Sequence, residues 1–236
     1  MIPRFFYKYQ KYFIEEDIKK NKKHKINYAK RIISENELYY PLRSELNDPF
    51  EFRFCIYKNS KLIKGAGGEK LEEYEKKIFD EFGILSLTTK KDDIIMFSHY
   101  AGEHTGICIE FDSSKDEIFR KAFKVKYMKP LPSFELFSFL NEIDKTKYIK
   151  PIFSTKHKDW KYEKEWRVLY KISKNNDPRV ERYNPEALTG IIFGFNASDL
   201  VKKEINDLIK TRKHKINLYQ SIPRNNEYGL DIILLE

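Results

Sequence analysis

The stretch from Lys156 to Lys171, KHKDWKYEKEWRVLYK, holds both tryptophans of the chain, a Glu-x-Glu pair and an arginine. From Trp160 to Tyr170 aromatic and β-branched side chains recur at every second position, the period of a β-strand. The pattern predicts that Trp160, Tyr162, Lys164, Trp166, Val168 and Tyr170 share one face, mostly core. Glu163, Glu165, Arg167 and Leu169 then share the other. A strand so apolar on one side must be seated in a sheet over a core. The row of charge opposite has two readings: a solvated ladder on an edge strand, or carboxylates held in place for chemistry.

With 236 residues, 41% of them hydrophobic and 15% aromatic, the chain has ample material to build a core around such a strand. Residues 3–14 read as a short aromatic strand or turn, and further strands are expected in residues 37–42, 84–89, 105–111, 125–128 and 188–195, and in two closing segments, KINLYQSI and LDIILLE. Helical spacing marks residues 27–36, 69–82, a short helix capped by Asp92 or Asp93, and a segment from Pro132 or Ser133 to about Ile143. A last helix is capped by Ser198, with Leu200, Val201, Ile205, Leu208 and Ile209 turned inward. No repeat or low-complexity linker divides the chain, so residues 1–236 read as one α+β domain.

A formal charge of +9 with 34% charged residues admits anionic partners without choosing among nucleic acid, nucleotides and phosphates. The densest basic runs are Lys19–Lys25 (KKNKKHK) and Arg212–Lys215. Cys55 and Cys108 lie in apolar, strand-like surroundings and read as buried free thiols of a reducing cytoplasm. No CxxC occurs and the five histidines are scattered, so no metal site is expected. Neither a signal-peptide run at the start nor a stretch of about 18 apolar residues is present, which disfavours secretion and membrane insertion. Gly65–Gly68 (GAGG) lacks the spacing of a phosphate-binding loop.

A second concentration of polar residues begins at Ser86-Leu87-Thr88-Thr89, a hydroxyl-rich strand end followed by a helix bearing Ser98, His99 and Tyr100. Such a junction can hold ribose or phosphate, and it is equally the form of an ordinary helix cap with a hydrogen-bonded core histidine. Asn47-Asp48-Pro49 is turn chemistry that orders its loop in any case, with Arg43 upstream as a phosphate contact. Arg167, sharing the face of Glu163 and Glu165, either neutralises a carboxylate or meets a diphosphate, since a guanidinium matches both.

These segments carry a resemblance. Asn47-Asp48-Pro49-Phe50, the helix Met96-Phe97-Ser98-His99-Tyr100-Ala101 with Gly106 and Glu110 behind it, and Trp160-x-Tyr162-Glu163-x-Glu165-Trp166-Arg167 resemble, in order, the three signature blocks of a bacterial family of unknown function. That resemblance spans residues from about 5 to 200. The family typically opens with Tyr-Lys-Tyr-Arg, whereas this chain has Tyr7-Lys8-Tyr9-Gln10. The order of elements is also similar, more weakly, to ADP-ribosyltransferases, in which three strands surround NAD in a split, mainly antiparallel β-sheet flanked by helices.

The second resemblance implies NAD as the substrate-cofactor and Glu165 as the catalytic glutamate. Its carboxylate would stabilise the oxocarbenium character that develops as the nicotinamide–ribose bond breaks, and Glu163 would orient the acceptor. Ser86, Thr88, His99, Tyr100, Arg43 and Arg167 would hold NAD. The acceptor would be a protein or nucleic acid, and the enzyme a toxin or phage-defence effector with an antitoxin or regulatory partner. Two alternatives stay open: a nucleic-acid-binding or cleaving protein using its basic runs, with His99 and Glu165 as acid and base, and a non-catalytic interaction domain.

Overall fold

The structure, a computed structural model, describes residues 1–14, 26–58, 61–62, 79–135, 146–173 and 177–235. In chain order the elements are β1 (Phe5–Gln10), α1 (Tyr28–Glu35), β2 (Glu37–Tyr39), β3 (Cys55–Lys58), β4 (Lys61–Leu62), β5 (Phe82–Thr88), α2 (Ile94–Tyr100) and β6 (Ile107–Asp112). There follow α3 (Glu117–Arg120), β7 (Phe123–Lys124), β8 (Lys126–Met128), β9 (Ser133–Glu135), α4 (Thr146–Phe153), β10 (Thr155–His157) and β11 (Glu165–Lys171). The chain closes with β12 (Val180–Arg182), β13 (Leu188–Phe193), α5 (Asp199–Lys210), β14 (Asn217–Pro223) and β15 (Leu230–Leu234). The fold is α+β. Its largest sheet is mixed and mostly antiparallel, and the strands of it from β15 to β1 run in the order β15-β14-β13-β6-β1.

The chain forms two compact units, residues 1–39, 86–122 and 180–236 in one, residues 40–85 and 123–179 in the other. In the first, β1 pairs antiparallel with β6 along its whole length, Tyr7 opposite Glu110 and Phe6 opposite Phe111. On its other side Tyr7 stands opposite Thr88 at the end of β5. β13 pairs antiparallel with β6 and parallel with β14, and α5 supplies the crossover that a parallel pair requires. Alternation along β1 and β6 sends Phe6, Ile109 and Phe111 to one face and Tyr7, Tyr9, Cys108 and Glu110 to the other. Phe97 of α2 rests on that second face, its ring meeting Tyr9 edge-on at 4.8 Å.

Helix capping follows the sequence closely in this unit. Asp93 accepts from the backbone N–H groups of Ile95 and Met96, and Ser198 from that of Val201. Arg212 closes α1: its Nε donates to the carbonyl of Ile33 at 3.0 Å and its Nη2 to Asn36 Oδ1 at 2.5 Å.

The second unit is held by an aromatic core of Phe52, Ile56, Phe79, Ile84, Tyr148, Ile152 and Phe153, with the Phe52 and Phe153 rings 4.4 Å apart. Around it β3 pairs parallel with β9, β8 parallel with β10, and β11 antiparallel with β7.

Two expectations are corrected here. The segment from Ser133 opens as strand β9, because Cys55 N–H donates to the carbonyl of Pro132 at 2.8 Å and the β3 ladder continues to Glu135. Tertiary pairing overrides the local helical spacing. Residues 136–145 of that expected helix, most of the expected helix 69–82, the GAGG segment and Lys19–Lys25 lie outside the described residues. Likewise the strand expected from Trp160 begins only at Glu165. Residues Lys158–Glu163 form a 3-10 turn, and Lys164 adopts a left-handed conformation, φ +47°. Helix α4, which the spacing did not single out, precedes β10.

Candidate functional site

The charged face of β11 does not meet solvent. Glu163, Glu165 and Arg167 are 3%, 4% and 0% exposed. They join two residues from elsewhere in the second unit, Lys156 of β10 and Glu51 of the loop ordered by Asn47-Asp48-Pro49. Arg167 Nε donates to Glu165 Oε1 at 2.8 Å and Nη2 to Oε2 at 2.9 Å, a bidentate grip. Nη2 also donates to Glu51 Oε1 at 2.7 Å, and Nη1 to the carbonyl of Phe153 at 2.9 Å. Lys156 Nζ donates to Glu163 at 2.7 Å and to Glu165 at 3.3 Å, and lies 3.3 Å from Glu51.

Local backbone explains how five charges converge. β10 is paired with β8, which fixes Lys156. The 3-10 turn and the left-handed Lys164 then fold the chain back so that Glu163, though off the strand, reaches the same ammonium as Glu165. Asp48 caps its own loop, accepting from Phe50 N–H at 2.8 Å, and Phe52, just past Glu51, takes φ +60°. Non-glycine residues in this conformation cost about 1–2 kcal/mol each, and both left-handed residues directly flank a glutamate of the cluster. Trp160 covers the cluster: Lys156 Nζ sits 4.7 Å from the centre of its ring. Tyr127 accepts from the backbone N–H of Glu165 at 2.7 Å.

Burial opposes charge on Lys156 and Arg167, yet the surrounding carboxylates, Glu165 foremost, outweigh it and raise the proton affinity of both cations. The phenol of Tyr127 is also held protonated, first by burial and then by the charges of Glu165 and Glu163. One atom is left over: Glu51 Oε2 is buried without a hydrogen bond. A buried ion network of this kind is weak evidence for stability, because desolvation cancels most of the attraction, and the unbonded oxygen adds to that cost. Buried carboxylates converging on one ammonium, on strained backbone, are the arrangement expected where geometry serves chemistry.

The remaining expected residues divide between the units. Arg43 lies in the second, in a 3-10 turn, its guanidinium 4.9 Å from the centre of the Phe79 ring. Ser86, Thr88, His99 and Tyr100 lie in the first. Ser86 is half-buried on β5 and its carbonyl accepts from Lys8 Nζ at 3.2 Å; Thr88 is buried, its hydroxyl accepting from Lys90 N–H at 3.1 Å. His99 is exposed on α2, its ring edge-on to Tyr100. His104, by contrast, is half-buried, its Nε2 3.0 Å from Ser98 Oγ and its ring stacked on Phe97. Arg212, expected as a phosphate contact, is occupied in capping α1.

Sequence reasoning gave no role to Lys156, the first residue of the stretch it singled out, or to Glu51, which directly follows Asn47-Asp48-Pro49-Phe50. A charged residue bordering a run of buried carboxylates is the signal that would have found Lys156. Glu51 has no such local signal, since a chain separation of 116 residues divides it from Arg167. Among the described residues, no group of three or more His, Cys, Asp or Glu side chains is placed to hold a metal, and no helix is long and apolar enough to cross a membrane.

Residues 96–168, from α2 through the cluster into β11, match a family described as a protein of unknown function, DUF2971. No curated protein and no solved structure matches the chain.

Proposed function

We propose that the protein is an NAD-dependent glycosyl-transfer enzyme of the ADP-ribosyltransferase type, cleaving the nicotinamide–ribose bond and passing ADP-ribose to a protein or nucleic-acid acceptor. The observation that carries this reading is the convergence of the Glu163 and Glu165 carboxylates on Lys156, at 2.7 and 3.3 Å, within a buried aromatic shell. Bond cleavage at the ribose builds positive charge on the sugar ring, and a preorganised, desolvated carboxylate stabilises such charge far more than one in water. Glu165 takes that role and Glu163 orients the acceptor. Lys156 holds both carboxylates in direction, and Arg167 grips Glu165. In this reading Glu165 exchanges one bond to its cations for a ribose hydroxyl, which a carboxylate accepts equally well.

The test is incubation of the protein with NAD labelled in the nicotinamide ring, with release of nicotinamide as the readout, for the wild type and Glu165→Gln. Release by the wild type and its loss in a variant that retains its circular dichroism spectrum is the expected result. Absence of both NAD binding and turnover in the wild type refutes the reading.

A further inference from the structure

We propose that the sheet face around Glu110, in the first unit, is a binding site for a small organic cation, a guanidinium or primary ammonium group, seated between the Glu110 carboxylate and the Tyr219 ring. Glu110 lies on β6 between Tyr7 of β1 and Gly190 of β13, its cross-strand partners on either side. Only 9% of it is exposed. Its carboxylate accepts from the Tyr7 hydroxyl at 3.1 Å and from the Thr189 hydroxyl at 2.8 Å. Thr189 would ordinarily point to the opposite face from Gly190. The irregularity in the β13–β6 register between Leu188 and Gly190 allows its hydroxyl to reach Glu110.

Both partners are neutral, and among the described residues no lysine or arginine pairs with Glu110. A buried carboxylate without a counter-ion is costly, and two neutral hydrogen bonds occupy only about half of its roughly four acceptor positions. The contrast with the cluster at Lys156 is direct. There every glutamate has a cation of the protein; here, among the described residues, the Glu110 carboxylate has only hydroxyl partners.

Gly190 is what brings the second wall in. A Cβ on that residue would lie 3.2 Å from Glu110 Oε1 and 3.1 Å from Tyr219 Cε2, so the bare backbone lets carboxylate and ring lie beside each other. Tyr219 and Thr189 are only half-buried and open the site to solvent on that side. Burial and, after it, the charge of Glu110 suppress ionisation of both Tyr7 and Tyr219, so both present neutral phenols. An anionic group beside an aromatic ring, with spare acceptor positions and no internal cation, is suited to a guanidinium or ammonium ligand. Neither the geometry nor its test depends on the NAD reaction.

Isothermal titration calorimetry of the intact protein with agmatine, with putrescine and with the neutral polyol ribose tests the site. Saturable binding of agmatine or putrescine is expected, weakened roughly tenfold or more in Glu110→Gln, since a charge-assisted hydrogen bond is lost. Should Glu110→Gln fail to fold by circular dichroism, Tyr219→Leu decides, with binding expected to weaken about threefold or more through loss of the ring. No saturable binding of either cation overturns the proposal. So does undiminished affinity in the folded variants, or binding of ribose without either cation.

Discussion

Replacing Arg167 with methionine tests the physical account of the buried cluster. Arg167 is fully buried and donates four hydrogen bonds, two to Glu165, one to Glu51 and one to the carbonyl of Phe153. Methionine fills much of the same volume and removes all four. Glu51 and Glu165 then lose the guanidinium while keeping Lys156, and the Phe153 carbonyl loses the Nη1 donor. Breaking a buried pair from one side costs about 3–5 kcal/mol, against a total stability of about 5–15 kcal/mol for a folded protein. An exposed pair costs about 0–1 kcal/mol, so the two cases are well separated. Urea unfolding followed by tryptophan fluorescence is the assay, because Trp160 and Trp166, the only two tryptophans, both adjoin the cluster and report on its unit. Adding Glu165→Gln to Arg167→Met removes one of the stranded charges. The double variant is expected to be more stable than Arg167→Met alone and to depart from additivity by about 0.5–3 kcal/mol. A loss below about 1 kcal/mol for Arg167→Met, or additive losses in the double variant, would refute the account.

Three further outcomes follow from the geometry. Burial lowers the proton affinity of His104 below the ordinary value near 6.5, so the folded state resists charging it; the stability it contributes is present above about pH 6.5 and lost as pH falls through its folded-state pKa. Melting temperatures measured across that range should fall more steeply for the wild type than for His104→Asn, a residue that tolerates the φ of +69° at this position; parallel curves refute it. Burial likewise holds Tyr7, Tyr9, Tyr12, Tyr127 and Tyr183 protonated well above the ordinary phenol value near 10. Their stabilisation is complete below that pH and lost above it, so a near-ultraviolet absorbance titration should show these phenols ionising only as the protein unfolds in alkali. Gly194→Ala places a Cβ 2.2 Å from the carbonyl oxygen of His104, on backbone pinned by the Gly194 N–H to Gly106 bond, and should cost about 3 kcal/mol or more by chemical denaturation.

Strands β1, β5, β6 and β13–β15 and helices α1, α2 and α5 were legible from period and capping, because each is decided within a few residues of itself. Asp93 and Ser198 cap where hydroxyl or carboxylate precedes an apolar run. β9 was not legible, since Ser133–Glu135 becomes a strand only by lying against β3 far upstream. The site was half legible. Glu163, Glu165 and Arg167 do meet, as shared period suggested, but a left-handed Lys164 brings Glu163 in rather than a straight strand. Periodicity sees side-chain faces and cannot see a single reversed φ. That the charged face is buried depends on Lys156, only seven residues before Glu163, and on Glu51, which no local pattern ties to it.

The pairing of Tyr7 with Glu110 joins residues 103 apart in sequence, at the centre of the first unit's sheet. During synthesis at about 5–20 residues per second, β1 emerges and then waits on the order of 5–20 s before β6 exists to receive it. Throughout that interval Phe5-Phe6-Tyr7 is an aromatic strand with its β6 edge open, the kind of segment that pairs with other chains. Lys8, Lys11 and the basic segment that follows supply charge repulsion between nascent copies. Strand β1 is therefore a segment whose pairing waits on much of the chain that follows it. Slowed translation between residues 10 and 112 should lower the soluble yield more than slowing after β6.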